Sequence, residues 1–563
     1  MNHKVDDEVN PPLVISSANM TSYGAVPVVT IDAADEHVSM LEASAPSPPQ
    51  FQDMFFGVLF WLHIAVMLYL GLSVAPRGYA DMKFDFAPLE EEMRKGDDGI
   101  KEEDIQKFEE FVKQATEYMH IYPSRILHYS VVPGCFVAFV IALGTTFFIL
   151  RPFPLTVVYG CLIGSFATSA VLLLISIITS KSLALSFMLF VAMLAVTYYV
   201  RLAWRMVPFA AVNLKIALRG MSQNWGIYIV ACFITQLGLI WLVFWFYTVV
   251  GVFSYQTQNC QVAHPGADFD DITADDYDDT CDPSSLAFFL FLLSLYWTST
   301  VVMNTIQVTV AGVMATWCFD KDEASNCCSS AVFGSLFRSL TYAFGSICFG
   351  SLLQAIVSVF RCLVESARNQ RDNAEDSFCG SIYLCVLECL ARLFEDILNY
   401  FNQWAYVFVG IYGFSYLESG RRVLELFHAR GWTTIITDNL VVYVLNASTV
   451  FVGVLTGIVA MLVEQLVSSR YHDTNHSADS GPSYLGLNKY ATFGIGLIIG
   501  LWVSSVMMNV IKGAVNTLIV CWADSPAVVE TQHPSLTREM VESWTSVFPD
   551  MSTQIRPAYG FVV

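Results

Sequence analysis

Residues 54–75 read MFFGVLFWLHIAVMLYLGLSVA, twenty-two positions in which His63 is the only basic or acidic side chain. As an α-helix rising about 1.5 Å per residue, this run is roughly 33 Å long. That is enough to cross a hydrocarbon layer of about 30 Å. Further apolar runs follow at 130–150, 155–179, 183–200, 226–254, 286–319, 342–360, 439–463 and 491–523. Short polar turns separate the early ones, Arg151-Pro-Phe-Pro and Ser180-Lys-Ser. Between 382 and 417 the pattern is less clean. Residues 382–402 mix Cys and Leu with Glu388, Arg392, Glu395 and Asp396, while the apolar stretch 404–417 is short for a crossing. The two pieces read as one long helix broken near Asn402-Gln403. The spacing therefore predicts an all-α, polytopic transmembrane helix bundle of about ten spans.

Composition agrees with that reading. Of 563 residues, 55% are hydrophobic and only 14% are charged, against about 25% charged in soluble domains. A soluble enzyme, a disordered scaffold and a soluble repeat solenoid are excluded. The formal charge of −21 is concentrated between the runs, with −7 over 1–53 and −8 over 255–285. No basic patch exists to bind nucleic acid. The acid keeps loops and tails hydrated, or forms a vestibule that concentrates cations.

Organisation follows from these boundaries. Residues 1–53 are a Pro-containing acidic tail without the basic leader of a signal peptide. Residues 54–75 are the first span and 76–129 an outward polar loop. Spans two to five fill 130–254, an acidic outward loop 255–285, and spans six to ten 286–523. A tail, 524–563, closes the chain. Basic residues set the orientation. The loop 201–225 carries Arg201, Arg205, Lys215 and Arg219, and 418–438 carries Arg421, Arg422 and Arg430. Both fall on one side of a ten-span count, which makes that side, and both termini, cytosolic. Arg361, Arg368 and Arg371 run against the rule, because 361–381 falls outside.

Cysteine placement fits this orientation. Cys260 and Cys281 sit together in the outward loop, where an oxidising exterior permits a disulfide worth roughly 3 kcal/mol. Two free thiols are the alternative. Cys327-Cys328 lie on the cytosolic side, as plain thiols or sites for an acyl chain. Asn475-His-Ser is a glycosylation sequon in another outward loop.

No P-loop, HExxH or GxSxG motif occurs. His63 has no second histidine at ligand spacing, and Cys385/Cys389 belong to a Cys-rich helix. We expect no catalytic residues, no metal and no cofactor. The spans do interleave aromatic rings with amides. Trp297, Asn304 and Gln307 lie well inside the sixth span, the two amides at i, i+3. The eighth carries Tyr400, Asn402 and Tyr406. Amides in hydrocarbon need partners, which places them in a bundle interior or watery cavity. A wall of rings with neutral polar groups suits a small organic cation such as a quaternary ammonium, held by cation–π contacts. Glu388, Glu395 and Glu464 have the ordinary reading of interfacial acids or partners of a base such as Arg392. Gly453/Gly457 and Gly496/Gly500 have the GxxxG spacing of close helix contact.

Four stretches taken together carry a resemblance. They are YWTSTVVMNTIQVTVAGVMATWCF (296–319), FRSLTYAFGSICFGSLLQAIV (337–357), LNYFNQWAYVFVGIYG (398–413) and VCWADSPAVVETQHPSL (520–536). In order and spacing the chain resembles the choline transporter-like family across roughly 226–545. The resemblance implies ten spans, cytosolic termini and carriage of choline or ethanolamine. On this reading the protein is a carrier, working by alternating access in a lipid bilayer, which we place at the plasma membrane. The rival is a non-transporting or lipid-handling membrane protein of the same fold.

Overall fold

A computed structural model describes residues 50–80, 132–179, 183–263, 285–327, 329–372, 378–429, 440–474 and 489–547. Cys281, Asn475 and nearly all of the 1–53 tail lie outside the described residues, as does most of 76–129.

Among the described residues all regular structure is helical. The chain runs α1 (Met54–Tyr69), α2 (Ala75–Ala80), α3 (Val132–Gly144), α4 (Pro154–Thr179), α5 (Leu183–Ala203), α6 (Val207–Gln223) and α7 (Gly226–Ala263). It continues with α8 (Ser285–Phe319), α9 (Ser330–Leu340), α10 (Phe344–Asp372), α11 (Phe378–Tyr412) and α12 (Tyr416–Ala429). The last four are α13 (Leu440–Thr474), α14 (Lys489–Asp524), α15 (Pro526–Gln532) and α16 (Pro534–Val547). Eight of the described helical stretches are long and apolar enough to cross a membrane. Gly134–Leu150 is apolar but shorter, and α11 is long but charged.

The break expected near Asn402-Gln403 is absent, because α11 runs unbroken from Phe378 to Tyr412. An amide breaks a helix when it competes for backbone partners, and Asn402 has side-chain partners instead. It accepts from the Tyr416 hydroxyl and donates to Gln354 Oε1 at 3.4 Å. The helix ends at Gly413, whose φ of 72° only glycine adopts easily. Three of the four charges that made 382–402 look unlike a span, Glu388, Arg392 and Glu395, are paired with α10 or within α11. Arg361 bridges Glu395 at 2.5 Å, and Glu388 accepts from both Arg368 and Arg392.

The centre of the bundle is α14, which packs on α3, α6, α7, α8, α11 and α13. Its pairing with α13 uses the small-residue spacing read from sequence. A Cβ on Gly500 would stand 2.9 Å from the Gly453 Cα, so the two backbones touch. Beyond the ends of α8 and α14 a second layer forms. The amphipathic α6 is buried on one face and packs against α4, α14 and α16. Trp544 of α16 stacks near Phe209 at 5.0 Å and donates to Asn213 Oδ1 at 3.1 Å. His533, between α15 and α16, lies 2.9 Å from the Trp317 carbonyl at the end of α8.

The first span is tied in from a distance. Asp53 accepts from the Ser346 hydroxyl at 2.7 Å and from the Tyr416 backbone N–H at 3.0 Å. Its carboxylate thus satisfies an N–H at the start of α12, a site that favours negative charge.

Candidate functional site

The candidate residues are distributed over α8 and α11, which pack against each other and share α10 and α14 as neighbours. Period 3.6 divides them between two faces. On α8, Trp297, Val301, Asn304 and Val308 turn to α10 and α11, in a cluster with Phe60 of α1 and Tyr406 of α11. Gln307 lies on another face, against Gly513 of α14.

The first face is a closed seam of polar and aromatic groups. Trp297 donates its indole N–H to the Cys348 carbonyl of α10 at 3.1 Å. Its ring stacks on His63 at 5.2 Å and meets Phe60 edge-on at 5.2 Å. His63 Nε2 lies 2.7 Å from Ser294 Oγ, so this histidine is a partner within the seam. Asn304 donates to Ser351 Oγ at 2.9 Å and to the Tyr406 hydroxyl at 3.2 Å. Tyr406 in turn donates to the Ile347 carbonyl at 3.3 Å. Its ring lies 5.7 Å from that of Tyr416, whose hydroxyl reaches Asn402. Gln354 extends the chain, donating to Asn399 Oδ1 at 2.9 Å.

This seam exists because Gly350 of α10 has no side chain. A Cβ there would collide with the ring of Tyr416 and the hydroxyl of Tyr406. The rings pack on one another, with Trp297 only 5% exposed and Tyr406 fully buried. Each amide of the seam has a partner, as groups removed from water require.

The remaining candidates stand elsewhere. Gln307 donates to the Gln403 carbonyl at 3.1 Å. Tyr400 is half-buried and packs against the larger core, on a different side of α11 from Asn402 and Tyr406. The structure thus brings Trp297, Asn304, Asn402 and Tyr406 into one cluster and separates Gln307 and Tyr400 from it. Sequence reasoning missed Phe60, His63, Ser351 and Tyr416. No local pattern flags them, since each is ordinary in its own helix. Cys260 lies at the end of α7, and its proposed partner Cys281 is outside the described residues, as is Asn475. Among the described residues no group of three His, Cys, Asp or Glu is placed to hold a metal.

Trp297, Asn304, Asn402 and Tyr406 thus belong to one buried aromatic and amide seam across three helices. A family model described as plasma-membrane choline transporter matches residues 186–527, more than half of the chain. The chain belongs to this family. The choline transporter match takes in α8, α10, α11 and α14, and so all six candidate residues. Among named relatives, Protein PNS1 of Mycosarcoma maydis is 33% identical over 251 residues, 45% of this chain and 44% of that protein. Protein pns1 of Aspergillus fumigatus is 27% identical over 266 residues, 47% and 46% of the two chains. Protein PNS1 of Saccharomyces cerevisiae is 25% identical over 428 residues, 75% and 74%. The match thus spans about half the length of the first two and about three quarters of the third.

Proposed function

We propose that this protein carries choline, or a related small organic cation such as ethanolamine, across a membrane by alternating access. The observation that carries this reading is the seam of Trp297, Asn304, Asn402 and Tyr406, formed where three helices of a choline transporter family bundle meet. A quaternary ammonium has no N–H to donate and binds ring faces, which the seam holds in closed form. Opening it requires α10 and α11 to part, which would expose Trp297 and Tyr406 and free Asn304 for a substrate hydroxyl. Loops joining the helices would allow such rocking, and the tight α13–α14 pair would move as one body.

The same reading places ten crossings, with α3 and α11 completing the eight apolar helices, both termini in the cytosol, and the protein at the plasma membrane. It also assigns a Cys260–Cys281 disulfide and a glycan at Asn475 to the outer face.

The test is uptake of labelled choline by vesicles containing this protein alone. Saturable uptake, lost on opposing Trp297→Ala and Tyr406→Ala variants that still fold, supports the carrier. Absence of uptake by folded protein, with accelerated lipid exchange between leaflets, would favour the lipid-handling alternative.

A further inference from the structure

A second face of α8 meets α14, and it has a different chemistry. On α14, Asn509, Lys512 and Asn516 follow at i, i+3 and i+7 and so share one face. They flank Gly513, where an added Cβ would lie 3.8 Å from Gln307 Cγ and 3.4 Å from Val310 of α8. Gln307 in turn bonds the Gln403 carbonyl, one turn from Tyr400 on α11. Depth agrees as well. Gln307 lies twelve residues before the end of α8, and Lys512 twelve residues before the end of α14. Gln307 thus meets α14 at the residue next to Lys512 and meets α11 one turn from Tyr400, where α8, α11 and α14 pack together.

Exposure falls along this face of α14. Asn509 is exposed although α14 is the central helix, Lys512 is half-buried, and Asn516 is buried at 8%. Beyond it Val520 and Ala523 are fully buried.

The donors along this face are unmet. Lys512 has no ion pair or hydrogen bond among the described residues; the described ion pairs are all made by other bases. The Asn516 amide nitrogen is buried without a partner. A lysine within a spanning segment is costly, and such residues mark substrate pathways or meet an opposite charge. Nothing here suits a bare cation, which the ammonium repels. What two unmet donors and a positive charge favour is an oxyanion.

We propose that Lys512 and Asn516 bind a carboxylate or phosphate oxyanion, carried on the same molecule as an ammonium group that rests on Tyr400. This rests on the reading that the protein binds small quaternary ammonium compounds, and it makes the preferred solute zwitterionic. Trp297 is not part of this subsite. It lies ten residues from Gln307 along α8, about 15 Å, farther than one small zwitterion reaches.

The experiment measures binding by the purified full-length protein to three probes that share a trimethylammonium group. These are choline, glycine betaine with a carboxylate, and phosphocholine with a phosphate. Wild type should bind at least one zwitterion more tightly than choline, and the better of the two identifies the oxyanion. Lys512→Gln should weaken that zwitterion roughly tenfold, the size of one charge-assisted hydrogen bond, while choline binding holds or improves. Lys512→Arg should retain the preference. Asn516→Leu should lower it by a smaller factor, which keeps the test informative should Lys512→Gln not fold. A wild type that prefers choline to both zwitterions overturns the proposal and leaves the choline reading standing. So does an equal effect of Lys512→Gln on all three probes. If none of the three binds, the quaternary ammonium reading fails, and this proposal with it.

Discussion

The two faces of α8 each carry an amide and differ in how those amides and their neighbours are met, although His63 Nδ1 in the seam also has no partner among the described residues. Toward α10, Asn304 is buried and both its contacts are made within the seam. Toward α14, Gln307 has one bond, while on α14 Lys512 and the Asn516 amide nitrogen have none among the described residues. A satisfied buried network is rigid and specific, whereas an unsatisfied one carries a standing cost that a ligand can remove. The comparison separates a face whose amide is met by neighbouring helices from a face with unmet donors, the one proposed above for an oxyanion.

The sharpest way to break this contrast is at Gly350. Gly350→Ala forces a methyl group against the Tyr416 ring and the Tyr406 hydroxyl, and overpacking of this kind costs about 1–3 kcal/mol. The thermal unfolding midpoint of the purified protein should fall, and choline uptake should fall with it. An unchanged midpoint would mean that the seam is loose, and the contrast would vanish.

Asn304→Leu tests whether the network is held by its amide. Ser351 and Tyr406 would lose a buried partner, a loss of about 1–3 kcal/mol. Gln307→Leu should cost less, since it removes one bond to a backbone carbonyl. Chemical denaturation of the two variants in the same detergent gives the order, and a larger effect at Gln307 would reverse the roles of the faces.

Trp297 separates ring chemistry from packing. If the seam opens onto choline, Trp297→Ala should weaken choline binding by about 0.5–2 kcal/mol. Trp297→Phe should lie between Ala and wild type, because a ring face remains while the bond to Cys348 is lost. Equal defects in the two variants would trace the loss to the indole N–H or to packing.

The smallest expected effect is on the α15–α16 layer. Burial holds His533 below the usual histidine range, and the charges of Lys321 and Arg219 push the same way. Its neutral ring donates to the Trp317 carbonyl. Undocked, this histidine takes up a proton as pH falls through about 6.5, whereas docked it resists. Docking is therefore at full strength above that pH and weakens below it. Opening of 534–547, read as amide hydrogen-exchange rates divided by the intrinsic rate at each pH, should rise between about pH 7.5 and 5.5. His533→Gln keeps a donor but cannot titrate, and it should abolish that rise.

Much of the fold was legible because lipid imposes a simple rule. A spanning segment must be long, apolar and helical, so runs such as 54–75 and 491–523 announce themselves. The charged stretch of α11 did not, because Glu395 and Glu388 are answered by Arg361 and Arg368 of α10, 34 and 20 residues away in sequence and brought together by packing. The candidate site was half legible. Depth within a span pointed to Trp297, Asn304 and Tyr406, whereas the partners His63 and Tyr416 belong to distant helices.

The sequence by itself determined an all-helical membrane chain, its family, and which rings and amides lie in hydrocarbon. These depend on length, hydropathy and local period, which any stretch carries within itself. Only the tertiary structure decided that Trp297 and Asn304 lie in a closed seam while Gln307 meets α14 at the residue next to Lys512. A helix has several faces, and which neighbour covers each depends on contacts hundreds of residues apart. Gly350 admits the Tyr416 ring and the Tyr406 hydroxyl against α10, and Gly513 sets α14 against Gln307. Such close approaches fix which amides find partners in the fold and which do not.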